Sequence, residues 1–329
     1  MRVIIVVPNW NGNYFLDHCL SSLSRQTFSH AEIVVDNGST DGSYETIETK
    51  FPDINLIKLD RNYGFAGGVN CGIQKAILDG NEYVALFNND AVAETDWLEK
   101  LVARMDANPK AAIVTSKILH LDDDKLDSTG DFYSVYGFSF PRGRDELDTG
   151  QYDDDTNIFA ASGGASLYRV AALKEIGLFD ESFFAYYEDV DISFRAQLAG
   201  WEVLYEPSAR VRHAIGGTSS KHGNFSRYHT IKNFFYLYYK NMPTKLYWKY
   251  LPKFLFAYIL LLGKDILKLR LGTHLRAVGT ALIHFPEMKH KRFKIQRSRK
   301  ISADQVDALL YKEMPPTQKA YLRMKDKLS

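Results

Sequence analysis

Four β-branched runs between residues 2 and 88 constrain this chain most, because each is followed by a polar cluster and then by a stretch at helical spacing. Residues 2–7, 31–36, 54–59 and 83–88 are short and apolar without alternation, as strands buried on both faces are. Between them, 14–26 places Phe15, Cys19, Leu20 and Leu23 on one helical face, and Ser39-Thr40-Asp41-Gly42 can cap a helix through Lys50. Residues 64–78 open glycine-rich and continue helically. Strand and helix alternating in this way predict a doubly wound, mostly parallel α/β sheet, whose ligands collect at the carboxyl ends of its strands.

Those ends carry the chemistry. Pro8-Asn9-Trp10-Asn11-Gly12, Asp36-Asn37-Gly38-Ser39, Asn62-Tyr63-Gly64-Phe65-Ala66-Gly67-Gly68 and Asn88-Asn89-Asp90 each follow a strand. Asp and Asn there offer acceptors for a base or ribose, and glycines let backbone N–H groups approach a diphosphate at a helix start. One such cluster is ordinary turn chemistry. Four in register predict a nucleotide site. Asp90 can hold a divalent cation against a diphosphate, although it could instead cap the next helix, with Thr95-Asp96 as a rival start.

From about residue 110 the pattern loosens. Residues 122–155 are acidic and turn-rich and read as a solvated loop, while 158–167 and 201–207 read as strands and 190–199 as a helix. Five carboxylates fall in residues 179–191: Asp180, Glu181, Glu188, Asp189 and Asp191, with Arg195 one helical turn beyond. A hydroxyl nucleophile needs a positioned base, and Asp189 at the mouth of a helix suits that role. Glu188 or Asp191 could equally be a cap or a partner for Arg195. His213 closes a strand-like run and could be a second metal ligand.

The net charge of +1 conceals segregation. Residues 240–300 hold 15 Lys and Arg against 2 Asp and Glu, leaving 26 against 38 elsewhere. The basic region is also aromatic and aliphatic. Its uninterrupted apolar stretch, 254–262, has 9 residues, and a membrane-spanning helix needs about 20. It therefore reads as an interfacial anchor on anionic lipid, or as a helical subdomain packed on the core or against a second subunit in a homodimer. Basic residues interleaved with long aliphatics argue against nucleic acid. Cys19 and Cys71 form no framework, the first apolar run ends at Pro8 without a cleavage site, and both features point to the cytoplasm. The expected division is 1–225, with halves at about 1–110 and 111–225, and a helical appendage at 226–329.

These clusters, with Ser162-Gly163-Gly164-Ala165, Gly177-Leu178-Phe179-Asp180-Glu181, Tyr187-Glu188-Asp189-Val190-Asp191, Ala199-Gly200-Trp201 and Val211-Arg212-His213, resemble the family 2 glycosyltransferases of the GT-A fold, in their rhamnosyltransferase-like branch. The resemblance runs from about residue 2 to 220. It implies an inverting transfer from a nucleotide-diphosphate sugar, dTDP- or UDP-linked, to a hydroxyl on a glycan or lipid-linked acceptor, with Mg²⁺ or Mn²⁺. Pro8, Asn9, Asn11, Asp36, Asn37, Ser39, Asn62, Gly67, Gly68, Asn89 and Asp90 would form the nucleotide-sugar site, with Asp36 at the base. Asp189, beside Glu188, would be the general base, and Asp90 and His213 the metal ligands. Gly163, Gly164 and Trp201 would border the donor sugar or acceptor. The motif reads Asn-Asn-Asp, which leaves one protein carboxylate for the metal. No Gln-x-x-Arg-Trp follows, so one or a few sugars are expected per acceptor, not a polymer. A non-catalytic binding protein of this fold would lack Asp90 or Asp189. A nucleotidyltransferase would want a basic residue in the first loop, and a dinucleotide oxidoreductase a G-x-G-x-x-G there.

Overall fold

The computed structural model describes residues 1–214 and 223–316. Its first part alternates as expected: β1 (Val3–Asn9), α1 (Asn13–Leu23), β2 (Ala31–Asp36), α2 (Ser43–Lys50), β3 (Asn55–Lys58), α3 (Gly64–Leu78) and β4 (Tyr83–Phe87). There follow β5 (Ala91–Ala93), α4 (Trp97–Ala107), β6 (Ala111–His120), β7 (Leu126–Ser128), β8 (Asp131–Tyr133), β9 (Ser139–Pro141), β10 (Ala165–Arg169), α5 (Val170–Ile176), α6 (Glu188–Leu198) and β11 (Glu202–His213). The remainder is helical: α7 (Gly223–Asn241), α8 (Thr244–Leu267), α9 (Leu271–Ile283), α10 (Phe285–Ser298) and α11 (Ala303–Leu309).

The main sheet runs β3-β2-β1-β4-β10-β6-β11-β5, with β7 beside β6. The first four strands are parallel, and in register Asn9 lies opposite Asp36, so two of the polar clusters emerge side by side. β10 runs antiparallel between β4 and β6, and β11 returns parallel to β6. Apolar side chains fill both faces: Leu20, Trp97 and Leu101 on one, Val69, Ile73 and Ile192 on the other. Helix α3 crosses β1 so closely that a Cβ on Gly72 would stand 2.3 Å from Val6, which is why a small residue sits mid-helix.

Two expectations need correction, and one rival reading is set aside. Residues 158–164 form no named strand; the chain turns at Ser162-Gly163-Gly164, and β10 begins only at Ala165. The acidic stretch 122–155 is not simply a solvated loop, since it contributes β7, β8 and β9 and buries Asp127. Asp90 caps no helix: β5 follows it, and α4 begins at Trp97 after Asp96.

The basic, aromatic region packs on the rest of the chain. Phe234, Leu237 and Tyr238 of α7 share one apolar core with Tyr133, Phe159 and Phe194, so no clean boundary falls near 226. Residues 317–329 of the expected appendage lie outside the described residues. Beneath α6, fully buried Asp191 meets Arg195 Nε at 2.9 Å, Lys240 Nζ at 2.8 Å and Asn241 Nδ2 at 2.7 Å. Lys240 also contacts Asp180, whose carboxyl Lys240 and Lys291 hold far below the usual carboxylate range against the opposing effect of burial. Removing one partner from such a network strands a buried charge. Lys240→Ala should therefore cost about 3–5 kcal/mol in urea unfolding. A change within error would mean that Asp180 and Asp191 are compensated without it.

Candidate active site

The carboxyl ends of β1, β2 and β4 open into a crevice of about 380 Å³, closed on its far side by residues 184–189. On the strand side the frame is built from neutral amides. Asn89 Nδ2 donates to Asn9 Oδ1 at 2.7 Å, and Asn9 Nδ2 donates to Asp36 Oδ1 at 3.1 Å and Ser39 Oγ at 3.2 Å. Asn37 Oδ1 accepts from Tyr63 N at 2.9 Å, while Asn62 Oδ1 accepts from Gly64 N at 2.7 Å. These bonds fix the start of α3, where Gly64 has φ +75° and a Cβ would come within 2.3 Å of the Phe184 carbonyl oxygen. Only glycine lets that helix start approach the opposite wall.

Pro8, Asn9, Asn37, Asn62, Asn89, Asp90, Glu188, Asp189 and His213 all line the crevice. Others stand behind it. Asp36 is fully buried and accepts from Asn9 and from Ser39 N. Asn11 and Ser39 tie two loops together, Asn11 N donating to Ser39 Oγ at 3.0 Å. Gly67 and Gly68 lie buried in α3, where a Cβ on Gly68 would meet Asn37 at 3.0 Å. Gly163 donates its N–H to Asp189 Oδ2 at 3.1 Å, and Gly164 leaves room for Asn88. Trp201 is not brought to the crevice: its indole N–H donates to Glu175 Oε2 at 3.2 Å, beyond the far end of α6.

Helix α6 points its first turn into the crevice. Burial raises the Asp189 carboxyl above its usual range, and the N–H groups of Gly163 and Val190 (3.1 and 2.8 Å) partly offset this. Burial, then the neighbouring Asp189 charge, push Glu188 much further up, and its Oε2 has no hydrogen-bond partner among the described residues. Two adjacent buried carboxyls resist carrying charge together, so both stand above the ordinary carboxylate range. Burial and the Asp189 charge push Asp131 up to about 7.

The wall bearing these acids is strained. Phe184, Tyr186 and Tyr187 have φ of 67°, 68° and 70°, a region that non-glycine residues avoid. Helix α7 holds it: Asn233 Nδ2 donates to the carbonyls of Phe183, Ala185 and Tyr186 at 2.9, 2.9 and 2.7 Å. Sequence reasoning missed Asn233, which lies 44 residues beyond Asp189 with no local motif to mark it.

Across the crevice, His213 Nε2 meets Asp90 Oδ1 at 3.1 Å and Nδ1 meets Asp127 Oδ2 at 2.8 Å. Burial disfavours a charged imidazole, but hydrogen bonds and attraction from Asp127 and Asp90 outweigh it and push His213 up to about 9. Asp127, missed in the sequence, fixes the Nδ1 proton, so Nε2 is the nitrogen free to turn from proton to cation. No cluster of three metal-ligating side chains occurs among the described residues. Asp90 and His213 nevertheless fit a cation whose remaining ligands come from a diphosphate and water. Among the described residues no Lys or Arg lines the crevice, so a diphosphate there would need a cation to balance it.

Comparison with known proteins gives the family and the fold. The model of "Glycosyl transferase family 2" matches residues 4–177, more than half of the chain. An N-acetylglucosaminyl-diphospho-decaprenol L-rhamnosyltransferase of Mycobacterium tuberculosis is 27% identical over 233 residues, covering 64% of this chain and 75% of that protein. The dTDP-rhamnosyl transferase RfbF of Shigella flexneri is 28% identical over 222 residues, covering 64% and 71%. Some relatives are longer, and the chain spans 29% of glucomannan 4-beta-mannosyltransferase 9 of Arabidopsis thaliana. In fold it resembles a mannosyltransferase from Pyrobaculum calidifontis solved with GDP-Man and Mn²⁺ (TM-score 0.54, 16% identity, 86% of this chain and 75% of that one). The family model covers more than half of the chain, and the chain belongs to glycosyl transferase family 2.

Proposed function

We propose that this protein is an inverting, metal-dependent glycosyltransferase that moves a sugar, rhamnose or another hexose, from a dTDP- or UDP-linked donor to a hydroxyl of a glycan or lipid-linked acceptor in cell-surface polysaccharide assembly. The observation that carries this reading is the facing of two acidic centres across one crevice: Asp90 with His213 at the strand ends, Asp189 with Glu188 at the mouth of α6. The dTDP-rhamnosyl transferase RfbF supports the donor class, and the mycobacterial relative, which acts on N-acetylglucosaminyl-diphospho-decaprenol, supports a lipid-linked acceptor.

The donor's base and ribose would lie against the amide frame of Asn9, Asn37, Asn62 and Asn89, with Asp36 and Ser39 setting its shape from behind. Asp90 and His213 would hold Mg²⁺ or Mn²⁺, which neutralises charge on the departing diphosphate. Asp189 accepts the acceptor hydroxyl's proton as that oxygen bonds to the anomeric carbon and the bond to the diphosphate breaks. One displacement with one base inverts the anomeric centre. The N–H groups of Gly163 and Val190 hold the two Asp189 oxygens in place, with Glu188 beside it in the same first turn of α6.

Asp189→Asn should lower turnover about 100-fold or more while leaving nucleoside diphosphate affinity nearly intact, as removal of a general base does. Release of nucleoside diphosphate from dTDP- and UDP-sugars, with acceptor, measures both. Unchanged turnover would remove Asp189 from the chemistry. The base acts ionised, and burial raises its carboxyl. Activity should therefore rise with pH through a midpoint above the ordinary Asp value of about 4. A profile already flat at that value would contradict the assignment.

A further inference from the structure

Helix α8 is apolar on two sides. Tyr250, Phe254, Ala257 and Leu261 are buried, with Phe254 stacked on Phe234 of α7 at 4.5 Å between ring centroids. On the surface, Trp248, Leu255, Phe256, Ile259, Ile266 and Leu267 follow one another at spacings that align along a helix. Helix α9 repeats the arrangement: Ala277 is buried, Leu271, Leu275, Leu282 and Ile283 are exposed. Leu269, in the connection, is 94% exposed. Both helices pack on α7, so their outer stripes face away from it. Of 19 large hydrophobic side chains exposed among the described residues, 13 lie between Trp248 and Phe293. Such concentration marks an interaction surface, not scattered exposure.

Charge selects the occupant. Of the 15 Lys and Arg in residues 240–300, Lys240, Lys245, Lys249, Lys291 and Lys300 pair with carboxylates elsewhere in the chain, whereas Lys268 and Arg270, between the two apolar stripes, join no ion pair among the described residues; the stretch's own acids are Asp265 and Glu287. Asp265 is already paired with Arg227 and His274, and Glu287 with Lys291. A second copy would bring the same positive face to itself, and like charges would oppose the contact. An anionic bilayer satisfies both the leucines and the cations. Among the described residues no helix is long and apolar enough to cross a membrane, so the contact is with the surface. We propose that the α8–α9 hairpin docks this protein on an anionic membrane, with Leu267, Leu269, Leu275 and Leu282 at the acyl boundary and Lys268 and Arg270 at the headgroups. Phe225, in the first turn of α7, lines the crevice, and the 19 residues of that helix span about 30 Å. Docking would thus hold the crevice near the lipid surface. The proposal rests on the transferase reading only for its purpose, presentation of a lipid-linked acceptor.

Sedimentation of the full chain with vesicles tests it. Phosphatidylcholine vesicles containing phosphatidylglycerol should carry the protein down, pure phosphatidylcholine should do so far less, and added salt should weaken the binding. Lys268→Gln and Arg270→Gln should each weaken binding about fivefold, the effect of one cation at an anionic surface. Leu269→Glu combined with Leu282→Glu should reduce it more than tenfold. Nucleotide affinity measured on the same variants should not change, which separates failed docking from a failed transferase assignment. Equal sedimentation with both vesicle types, indifferent to these substitutions, would overturn the proposal. So would a concentration-dependent dimer that the paired Leu→Glu substitutions dissociate, without vesicle binding by the parent chain.

Discussion

Asp191 is a fully buried carboxylate one turn inside the helix that presents Glu188 and Asp189, and its compensation governs how the two parts of the chain meet. Arg195 answers it from the same helix, and Lys240 and Asn241 answer it from α7. A charge so placed is tolerable only where every oxygen finds a partner. Helix α7 is therefore part of the same body as the crevice. Its other polar side chains act on the same wall: Asn233 collects three carbonyls of the strained segment, and Lys232 donates to the Ser182 carbonyl oxygen. What holds α6 in place also aims its first turn.

The opposite wall solves a different problem. A nucleotide brings a polar base, hydroxyls and a dense negative charge into one cleft. In the proposed function, neutral amides would meet the first two without adding charge; Asn9 and Asn89, and Asn37 and Asn62, brace one another by hydrogen bonds. The third would fall to Asp90 and His213, where a carboxylate and an imidazole converge on the crevice. Asp127, pulled below its usual range by His213 and Arg144 despite burial, stays ionised behind that imidazole and keeps its ring aligned.

Much of this was legible in the sequence because it depends on local pattern. Unalternating runs such as Val3–Val7 are strands covered on both faces, and polar residues just past them must share the sheet's carboxyl edge. Asp90 and His213, 123 residues apart, were both candidates because each ends or follows a strand. Long-range partners leave no such mark. Asp127 sits in a stretch whose acidity suggested solvent, yet β7 pairs with β6 and turns it inward. A Leu-Asp-Ser-Thr-Gly turn was the only available signal. Trp201 shows the converse: the family resemblance of Ala199-Gly200-Trp201 placed it with the site, but it leaves from the helix end opposite Asp189. The aromatic stretch 225–240 looked like the start of an appendage, because composition cannot tell a helix buried in the same core from one on its surface.

The central claim is that the crevice takes a nucleotide diphosphate through a cation held by Asp90 and His213. Calorimetric titration with UDP and dTDP, each with Mn²⁺, Mg²⁺ or EDTA, in the parent chain and in Asp90→Ala, tests it most directly. Binding of one nucleotide should depend on the ion and weaken about tenfold or more in the variant, as loss of a metal ligand or its support does. Equal affinity with and without the ion, unchanged by Asp90→Ala, or no binding of either nucleotide under any condition, would contradict it.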